Sequence, residues 1–159
     1  MIVAVTGHRP QKLGGFTNQT FNALTDLARD WLRVNQPSKV ISGMALGWDQ
    51  ALAQASVDLG IPLIAAVPFE GFESRWPITS QKAMARLLDQ ADEVEVVHLY
   101  PGNTALQLRN EWMVDRADKM LALWDGSWGG TFNCIKYAVK CGRPIENLWS
   151  RWEMREMLR

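Results

Sequence analysis

Short apolar runs alternate with longer stretches of helical periodicity along most of the chain. The runs, each followed by a turn signal, predict β-strands near residues 2–5, 39–42, 62–67, 94–99, 120–124 and 145–148. The stretches between them predict helices near residues 17–34, 49–59, 80–91, 105–117, 132–141 and 152–158. Strands that alternate with helices form βαβ units with right-handed crossovers. The pattern therefore predicts an α/β fold with a doubly wound, mostly parallel sheet and helices on both faces.

The turn after the strand at 120–124 contains glycine, serine and threonine and leads directly into a predicted helix. Glycine lets backbone N–H groups approach a phosphate, and a helix N-terminus favours an anion at the same place. We therefore expect an anion to bind here, mainly through backbone N–H groups. The candidate residues are Gly126, Gly129, Gly130 and Thr131. The alternative is a plain structural turn without a ligand.

The same arrangement of an apolar run and a glycine-bearing turn occurs twice upstream. The candidate ligand-binding residues there are Thr6, Gly7, His8 and Arg9 in the first turn, and Ser42, Gly43, Met44, Gly47 and Asp49 in the second. In open parallel sheets, ligands bind outside the carboxyl ends of the strands, where the strand order reverses. We expect the three turns to converge on one crevice, with this switch point beside the strand at 120–124.

Composition narrows the class of protein. A chain of 159 residues is long enough for one domain with its own core, and its hydrophobic content of 47% is ordinary for a soluble globular protein. Lys plus Arg equals Asp plus Glu, at 17 each, so no overall basic field would recruit nucleic acid nonspecifically. Single-stranded DNA is therefore a partner that the net charge does not support.

The cysteine pattern and the length of the apolar runs suggest a cytoplasmic protein. Cys134 and Cys141 lie on one predicted helix, about 10 Å apart along its axis, which is too far for a disulfide. The sequence shows neither a Cys/His cluster with metal-ligand spacing nor a signal peptide, and no apolar run approaches the roughly 20 residues of a membrane span. We expect a cytoplasmic protein without a metal, another cofactor or a membrane partner.

The loop after the strand at 62–67 and several tryptophans offer further candidates. Pro68, Arg75 and Trp76 lie in that loop, where a guanidinium and an aromatic ring would suit a phosphate and a base. A salt bridge and an apolar ring that caps the core are the structural alternatives. Near the end of the chain, Trp149 and Trp152 would suit a dimer interface if they are exposed.

Three stretches, taken together, resemble a known family. They are Val5–Pro10, Ile41–Asp49 and Arg109–Asp118. They resemble the YpsA-like branch of the SLOG superfamily, a Rossmann-like group that also holds the DNA-processing protein A domain and the LOG cytokinin-activating phosphoribohydrolases. The resemblance covers nearly the whole chain. It implies a single Rossmann-like domain over residues 1–159, a nucleotide or nucleotide-derived ligand at the strand ends, and a homodimer.

The LOG enzymes indicate which chemistry the resemblance carries over. Their signature places an arginine nine residues before an aspartate, and Arg109 and Asp118 keep this spacing. The resemblance implies that Arg109, with Asn110 beside it, contacts the phosphate. Asn133 and Cys134 stand where the catalytic glutamate of the LOG enzymes would fall, and neither supplies the charge that stabilises an oxocarbenium-like state. This departure argues against LOG-type hydrolysis.

Three functions follow from these residues. The first is binding of a nucleotide or nucleotide-derived molecule, as a sensor or processing factor. The second is hydrolysis of an N-glycosidic or phosphate bond of a nucleotide, with Arg109 on the phosphate and Asp125, at the end of a strand, as the catalytic carboxylate; Asp49 ranks next. The third is a DNA-binding recombination mediator. We also expect Arg109 to point into the crevice, and its replacement by alanine to weaken binding with little loss of stability.

Overall fold

The chain forms one six-stranded sheet in which all neighbouring strands are parallel. The computed structural model describes residues 1–159. The strands are β1 (Ile2–Gly7), β2 (Lys39–Ser42), β3 (Leu63–Val67), β4 (Glu93–Val96), β5 (Lys119–Leu123) and β6 (Ile145–Asn147). Their order across the sheet is β4-β3-β2-β1-β5-β6. The predicted parallel α/β fold is confirmed.

Six helices cover the two faces of this sheet. They are α1 (Asn18–Asn35), α2 (Trp48–Asp58), α3 (Ile78–Gln90), α4 (Asn103–Arg116), α5 (Gly130–Lys140) and α6 (Trp149–Met157). Successive side chains of a strand point to opposite faces. In β1, Val3 and Val5 join the larger apolar cluster, whereas Ala4 between them joins the smaller one. Because both faces are covered, the central strands appear in the sequence as unbroken apolar runs.

The strand order reverses at β1, which lies between β2 and β5. The chain moves outward from β1 through β2 and β3 to β4, and then returns to β5 on the other side of β1. The loops that follow β1 and β5 therefore separate, and a crevice opens at the carboxyl ends of these two strands. The predicted switch point beside the strand at 120–124 is confirmed.

Two details differ from the sequence prediction. The strand predicted to end at residue 99 ends at Val96, because its partner β3 ends at Val67 and a proline follows. Trp152 is only 2% exposed and packs in the larger apolar cluster, with Trp149 half-buried against it, so these residues do not form the exposed patch proposed for a dimer. The reason is that α6 folds back onto the sheet.

None of the helices has the length and apolar character that a bilayer crossing requires.

Candidate functional site

A cleft of about 660 Å³ opens at the switch point of the sheet, and most of the residues that line it are polar. Four parts of the chain form its walls: the segment after β1, the start of α2, one face of α4 and the turn between β5 and α5. The sequence candidates that line the cleft are Thr6, Gly7, His8, Arg9, Asp49, Arg109, Asn110, Gly129, Gly130 and Thr131. Residues from all three glycine-bearing segments thus meet in one place.

Several candidates from the second turn lie behind the cleft and shape it from there. Ser42 Oγ donates a hydrogen bond to the Asp49 backbone carbonyl at 2.8 Å and accepts one from the Met44 backbone N–H at 3.2 Å, which closes the turn between β2 and α2. Gly47 has a φ of 96°, and a Cβ there would lie 2.6 Å from the His8 carbonyl oxygen. Ser42, Met44 and Gly47 therefore position the cleft residues without lining the cleft.

The candidates from the loop after β3 also lie outside the cleft. Pro68 is buried, Arg75 is exposed, and Trp76 packs against the larger apolar cluster. The ring of Trp76 meets that of Phe72 at 5.2 Å between centroids. Phe72 in turn lies 5.8 Å from the Arg109 guanidinium, so this loop contacts the floor of the cleft through a phenylalanine that sequence reasoning did not select.

The N-terminus of α5 opens into the cleft. Its N-cap is Gly129, which offers no side chain to the first-turn N–H groups, whereas α1 is capped by Thr17. Gly126 and Gly129 have φ values of 91° and 146°, in the region that favours glycine. No other part of the protein lies within 4 Å of the Cβ position of Gly129 or Gly130. Backbone N–H groups are therefore free to receive an anion that approaches through the cleft.

Basic side chains border the same cleft on the side of β1. Arg9 and Lys12 both line it, and Lys12 was not selected from the sequence. The Lys12 ammonium donates to Ser127 Oγ at 2.5 Å and lies 4.0 Å from an oxygen of Asp125. These two cations add positive charge beside the helix N-terminus, although the chain as a whole has a net charge of zero.

Asp125 lies at the rim, outside the lining of the cleft, where neighbouring groups hold its carboxylate. Its Oδ1 accepts hydrogen bonds from Ser127 N–H at 2.9 Å and from Ser127 Oγ at 2.5 Å. His8 Nε2 lies 2.7 Å from the same oxygen and 3.0 Å from the Asp125 backbone nitrogen. Hydrogen bonds keep the pKa of Asp125 below its usual range. The largest effect comes from the Ser127 hydroxyl, and the Ser127 backbone N–H and His8 add to it. A carboxylate held in this way is poorly suited to accept a proton.

Asp49 and Arg109 form the floor of the cleft, and both are buried, with exposed fractions of 5% and 6%. Arg109 Nη1 donates to the Gly43 carbonyl and approaches the Ala66 carbonyl at 3.5 Å. A Cβ on Gly43 would lie 2.7 Å from Arg109 Nη1 and 3.0 Å from Asp49 Oδ2, so the absence of a side chain lets these groups sit side by side. Gly43 therefore supports the floor from beneath.

Burial raises the pKa of Asp49 to about 6. The positive charges of Arg109 and Arg9 and a hydrogen bond from Ala45 N–H lower this pKa, but by less than burial raises it. Burial also disfavours the charge of Arg109 and so lowers its pKa, whereas the negative charge of Asp49 acts in the opposite direction. Cys134 lies close to both groups, and burial raises the pKa of its thiol to about 11, so it stays protonated. Asp49 is therefore a buried carboxyl that lines the cleft, whereas Asp125 lies at its rim. The sequence allowed either, because an aspartate after a glycine turn is also a common helix N-cap.

A pH dependence of stability follows from the buried Asp49. The carboxyl gains its charge near pH 3.8 when unfolded but only near pH 6 when folded, so the folded state holds the extra proton between these values. We expect the stability that protonated Asp49 contributes to be fully present below about pH 4 and to be lost as the pH rises through about 6. The free energy of unfolding should fall by about 3 kcal/mol over this range. Urea unfolding at several pH values measures it.

Asp49→Asn is the matched variant for this measurement, because the amide has nearly the same shape and no titration in this range. The difference in unfolding free energy between the two proteins should change between about pH 4 and about pH 7. A constant difference across this range would show that Asp49 is not held in a buried, charge-disfavouring position.

Trp128 is the most prominent cleft residue that sequence reasoning missed. It lines the cleft with 86% of its surface exposed. Its ring lies 5.1 Å from that of Phe132, which in turn stacks on Trp124 at 6.1 Å. The available signal was its position between serine and glycine in a turn, where a large aromatic has no core to fill. Asn133, at the position of the LOG glutamate, also lines the cleft. The other lining residues had no recognisable pattern in the sequence: Gln11, Ala45, Asn103, Leu106, Gln107, Met113 and Ser127.

Comparison with known proteins identifies solved structures that share this architecture. Among solved structures, DNA processing protein A from Streptococcus pneumoniae aligns with a TM-score of 0.66 at 19% identity, over 91% of this chain and 49% of that one. The DNA processing protein A from Helicobacter pylori aligns with a TM-score of 0.66 at 18% identity, over 92% of this chain and 64% of that one. The chain therefore spans about half to two thirds of these proteins, and the likeness shows a shared fold.

Sequence comparison gives the family. The SPbeta prophage-derived protein YoqJ of Bacillus subtilis (strain 168) is 35% identical over an alignment of 119 residues that covers 64% of this chain and 70% of YoqJ. The chain also matches the YspA SLOG family over residues 3–143, which includes all the cleft-lining segments described above. Because this match extends over most of the sequence, the protein belongs to the YspA SLOG family.

Proposed function

We propose that the protein binds a nucleotide or nucleotide-derived small molecule in the cleft and acts as a sensor or processing factor. The observation that carries the proposal is the uncapped N-terminus of α5, which opens into a polar cleft beside Arg9 and Lys12. A phosphate would accept hydrogen bonds from the first-turn N–H groups and would also gain from the helix dipole and the nearby cations. The strand-end position fits the usual ligand site of such sheets.

A nucleotide also needs a surface for its base, and Trp128 offers one. The indole stands at the cleft beside the anion-binding turn, and Phe132 and Trp124 support it from behind. Stacking of a base on an exposed aromatic ring contributes about 1–3 kcal/mol and tolerates different bases. A phosphate site and an aromatic ring in the same cleft favour a nucleotide over a simple sugar phosphate or a free anion.

The test is a retention assay with a panel of nucleoside mono-, di- and triphosphates, together with the parent nucleosides and inorganic pyrophosphate. We expect nucleotides to be retained more strongly than nucleosides, because the phosphate supplies charged hydrogen bonds. Chromatography of the recovered ligand shows whether any bond was broken. Failure of every nucleotide to bind at about 1 mM, the weak end of the affinity scale, would overturn the proposal.

Trp128→Ala should weaken nucleotide binding by about 5- to 150-fold, the range that corresponds to loss of one stacked base. Pyrophosphate binding should stay unchanged, because the anion contacts lie on the neighbouring backbone. Trp128→Phe is the matched control, since it keeps an aromatic ring and should retain most of the affinity. Equal losses for nucleotides and pyrophosphate would show that the indole supports the turn and does not stack on a base.

A nucleotide hydrolase is the second candidate, and Asp49 is the observation that favours it. A buried carboxyl with a pKa of about 6 at the floor of a cleft has the proton affinity that acid–base catalysis near neutral pH requires. Asp49 would take the role that the sequence assigned first to Asp125. Product formation in the retention assay, and its loss in Asp49→Asn, would distinguish this hydrolase from a binding protein.

Single-stranded DNA is the third candidate ligand. The Helicobacter pylori neighbour is described as having a single-stranded DNA binding mode, but it shares only 18% identity with this chain. The net charge of zero provides no general attraction for a polyanion. Retention of single-stranded DNA that falls steeply with salt would favour this reading over a mononucleotide ligand.

A further inference from the structure

The strand β4 forms one edge of the sheet and is covered on neither face. Its four residues, Glu93–Val96, are all exposed, and it pairs only with β3. The neighbouring strand β3, by contrast, is buried along its whole length. An edge strand presents a row of backbone N–H and C=O groups without partners, which is a template for a further strand. The edge at β4 is therefore an open position at which the sheet can be extended.

The two faces of β4 differ in their chemistry. Val94 and Val96 pair in register with two residues of β3 that belong to the larger apolar cluster. They continue the apolar face of the sheet to its edge, where they remain 46% and 50% exposed. Glu93 and Glu95 point to the opposite face. A strand added beside β4 would extend both faces, so it needs apolar residues on one face and partners for carboxylates on the other.

The charged residues along this edge are all negative. Every charged residue between positions 87 and 97 is acidic: Asp89, Asp92, Glu93 and Glu95. All four are exposed, and none of them forms an ion pair within the protein. Elsewhere on the surface, acidic residues such as Asp30 and Asp58 pair with arginines. The carboxylates at the β4 edge therefore lack cations that would balance their charge.

These carboxylates disfavour a second copy of the chain as the occupant of the edge. Antiparallel pairing of β4 with the β4 strand of a second molecule, about a two-fold axis normal to the sheet, brings the glutamates of the two copies onto the same face. Like charges directly opposite each other on neighbouring strands are destabilising. Lysine or arginine at the same positions would instead be attracted. Glu93 and Glu95 thus select against self-association and for a basic strand.

We propose that β4 is the docking site for an extended segment of a partner protein in which basic residues alternate with apolar ones. The segment adds a strand to the sheet, with its basic side chains beside Glu93 and Glu95 and its apolar side chains over Val94 and Val96. Backbone hydrogen bonds hold such a segment to the edge, and its alternate side chains determine which segments bind. No residue of β4 lines the cleft, so this inference does not depend on the ligand that the cleft binds.

The probe is a capped peptide of about eight residues in which lysine and valine alternate, labelled with a fluorophore at one end. Fluorescence anisotropy measures its binding to the full chain. Wild-type protein should bind it about 10-fold or more tightly than a peptide of the same composition with the lysines and valines in separate blocks, because only the alternating peptide matches both faces. Methylation of the alternate backbone nitrogens that face β4 should weaken binding by about 10-fold or more, because a methylated nitrogen has no hydrogen to donate.

Charge reversal at the edge provides the sharpest comparison. Glu93→Lys combined with Glu95→Lys should weaken binding of the lysine–valine peptide by about 10-fold or more, and should strengthen binding of the matching glutamate–valine peptide. Asp26→Lys combined with Asp30→Lys is the matched control, because it makes the same change in net charge at exposed positions of α1. This control should keep the wild-type preference between the two peptides. Thermal unfolding of both double variants shows that they are folded.

Amide hydrogen exchange shows where the peptide binds, and the β4 amides that point away from β3 should exchange more slowly in its presence. Equal binding of the alternating and block peptides, or an equal loss in the two double variants, would show attraction by charge alone and would overturn the proposal. Failure of the alternating peptide to bind at about 1 mM would do the same. A wild-type dimer in sedimentation that dissociates in Val94→Lys would assign the edge to a second copy of the chain, and would also overturn it.

Discussion

Gly130→Val is expected to abolish nucleotide binding, with a loss of at least about 100-fold, while the fold stays intact. No atom of another part of the protein lies within 4 Å of the Cβ position at Gly130, and its φ lies outside the left-handed region. A valine therefore fits without backbone strain and costs roughly 1 kcal/mol or less as a first-turn helix residue. Its side chain would project into the space that a phosphate must cross to reach the N–H groups of α5.

Calorimetric titration with the tightest-binding nucleotide of the panel measures this effect. Lys136→Val is the control, because it places the same side chain on the exposed surface of α5, away from the lining of the cleft. Gly129 would be a poorer choice for the main variant, since its φ of 146° would combine strain with crowding. Unchanged affinity in a folded Gly130→Val protein would mean that the nucleotide does not lie on this turn.

The sequence was sufficient to predict where the crevice lies. The apolar runs at β1 and β5 have few alternatives, because both are buried on two faces and both lead into segments that contain glycine, at Gly7 and at Gly126. The edge strand was less predictable. All four residues of β4 are exposed, and its length is set by the partner strand β3, which the sequence of β4 itself does not encode.

The roles of polar residues at the site were harder to predict than their location. Asp49 and Asp125 both follow strand ends, and spacing alone does not show which one is buried. The difference arises from tertiary contacts: Arg109 of α4 reaches the floor beside Asp49, whereas Ser127 and His8 hold Asp125 at the rim. Such distinctions depend on which loops pack together, and periodicity carries no information on that.

Long loops caused the remaining differences. Arg75 and Trp76 have the chemistry of a nucleotide contact, but the loop after β3 directs them to the surface and to the apolar cluster. The same loop contributes Phe72, which lies over the Arg109 guanidinium. An aromatic ring in a long loop has many places to pack, so residue type alone did not identify the one that reaches the cleft floor.

The burial of Arg109 changes the expectation that its loss would leave stability unaffected. Arg109→Ala removes the donor to the Gly43 and Ala66 carbonyls and leaves the buried Asp49 charge without its neighbouring cation. We expect the free energy of unfolding near pH 8 to fall by about 3–5 kcal/mol, the usual cost of removing one partner of a buried charge pair. Arg86→Ala, an exposed position on α3, should change it by less than about 0.5 kcal/mol.

The pH dependence and a double variant separate the charge effect from lost packing. Near pH 5 most of Asp49 is already neutral, so Arg109→Ala should cost less there than near pH 8, where the carboxylate is ionised. Asp49→Asn in the Arg109→Ala background should recover part of the loss, with a coupling of roughly 1–3 kcal/mol between the two positions. Urea unfolding of the four proteins at both pH values measures these differences. Arg109→Ala could instead lower the free energy of unfolding by the same amount at both pH values, with and without Asp49→Asn. That result would show that Arg109 stabilises the fold through its carbonyl contacts alone, and that the two floor residues act separately.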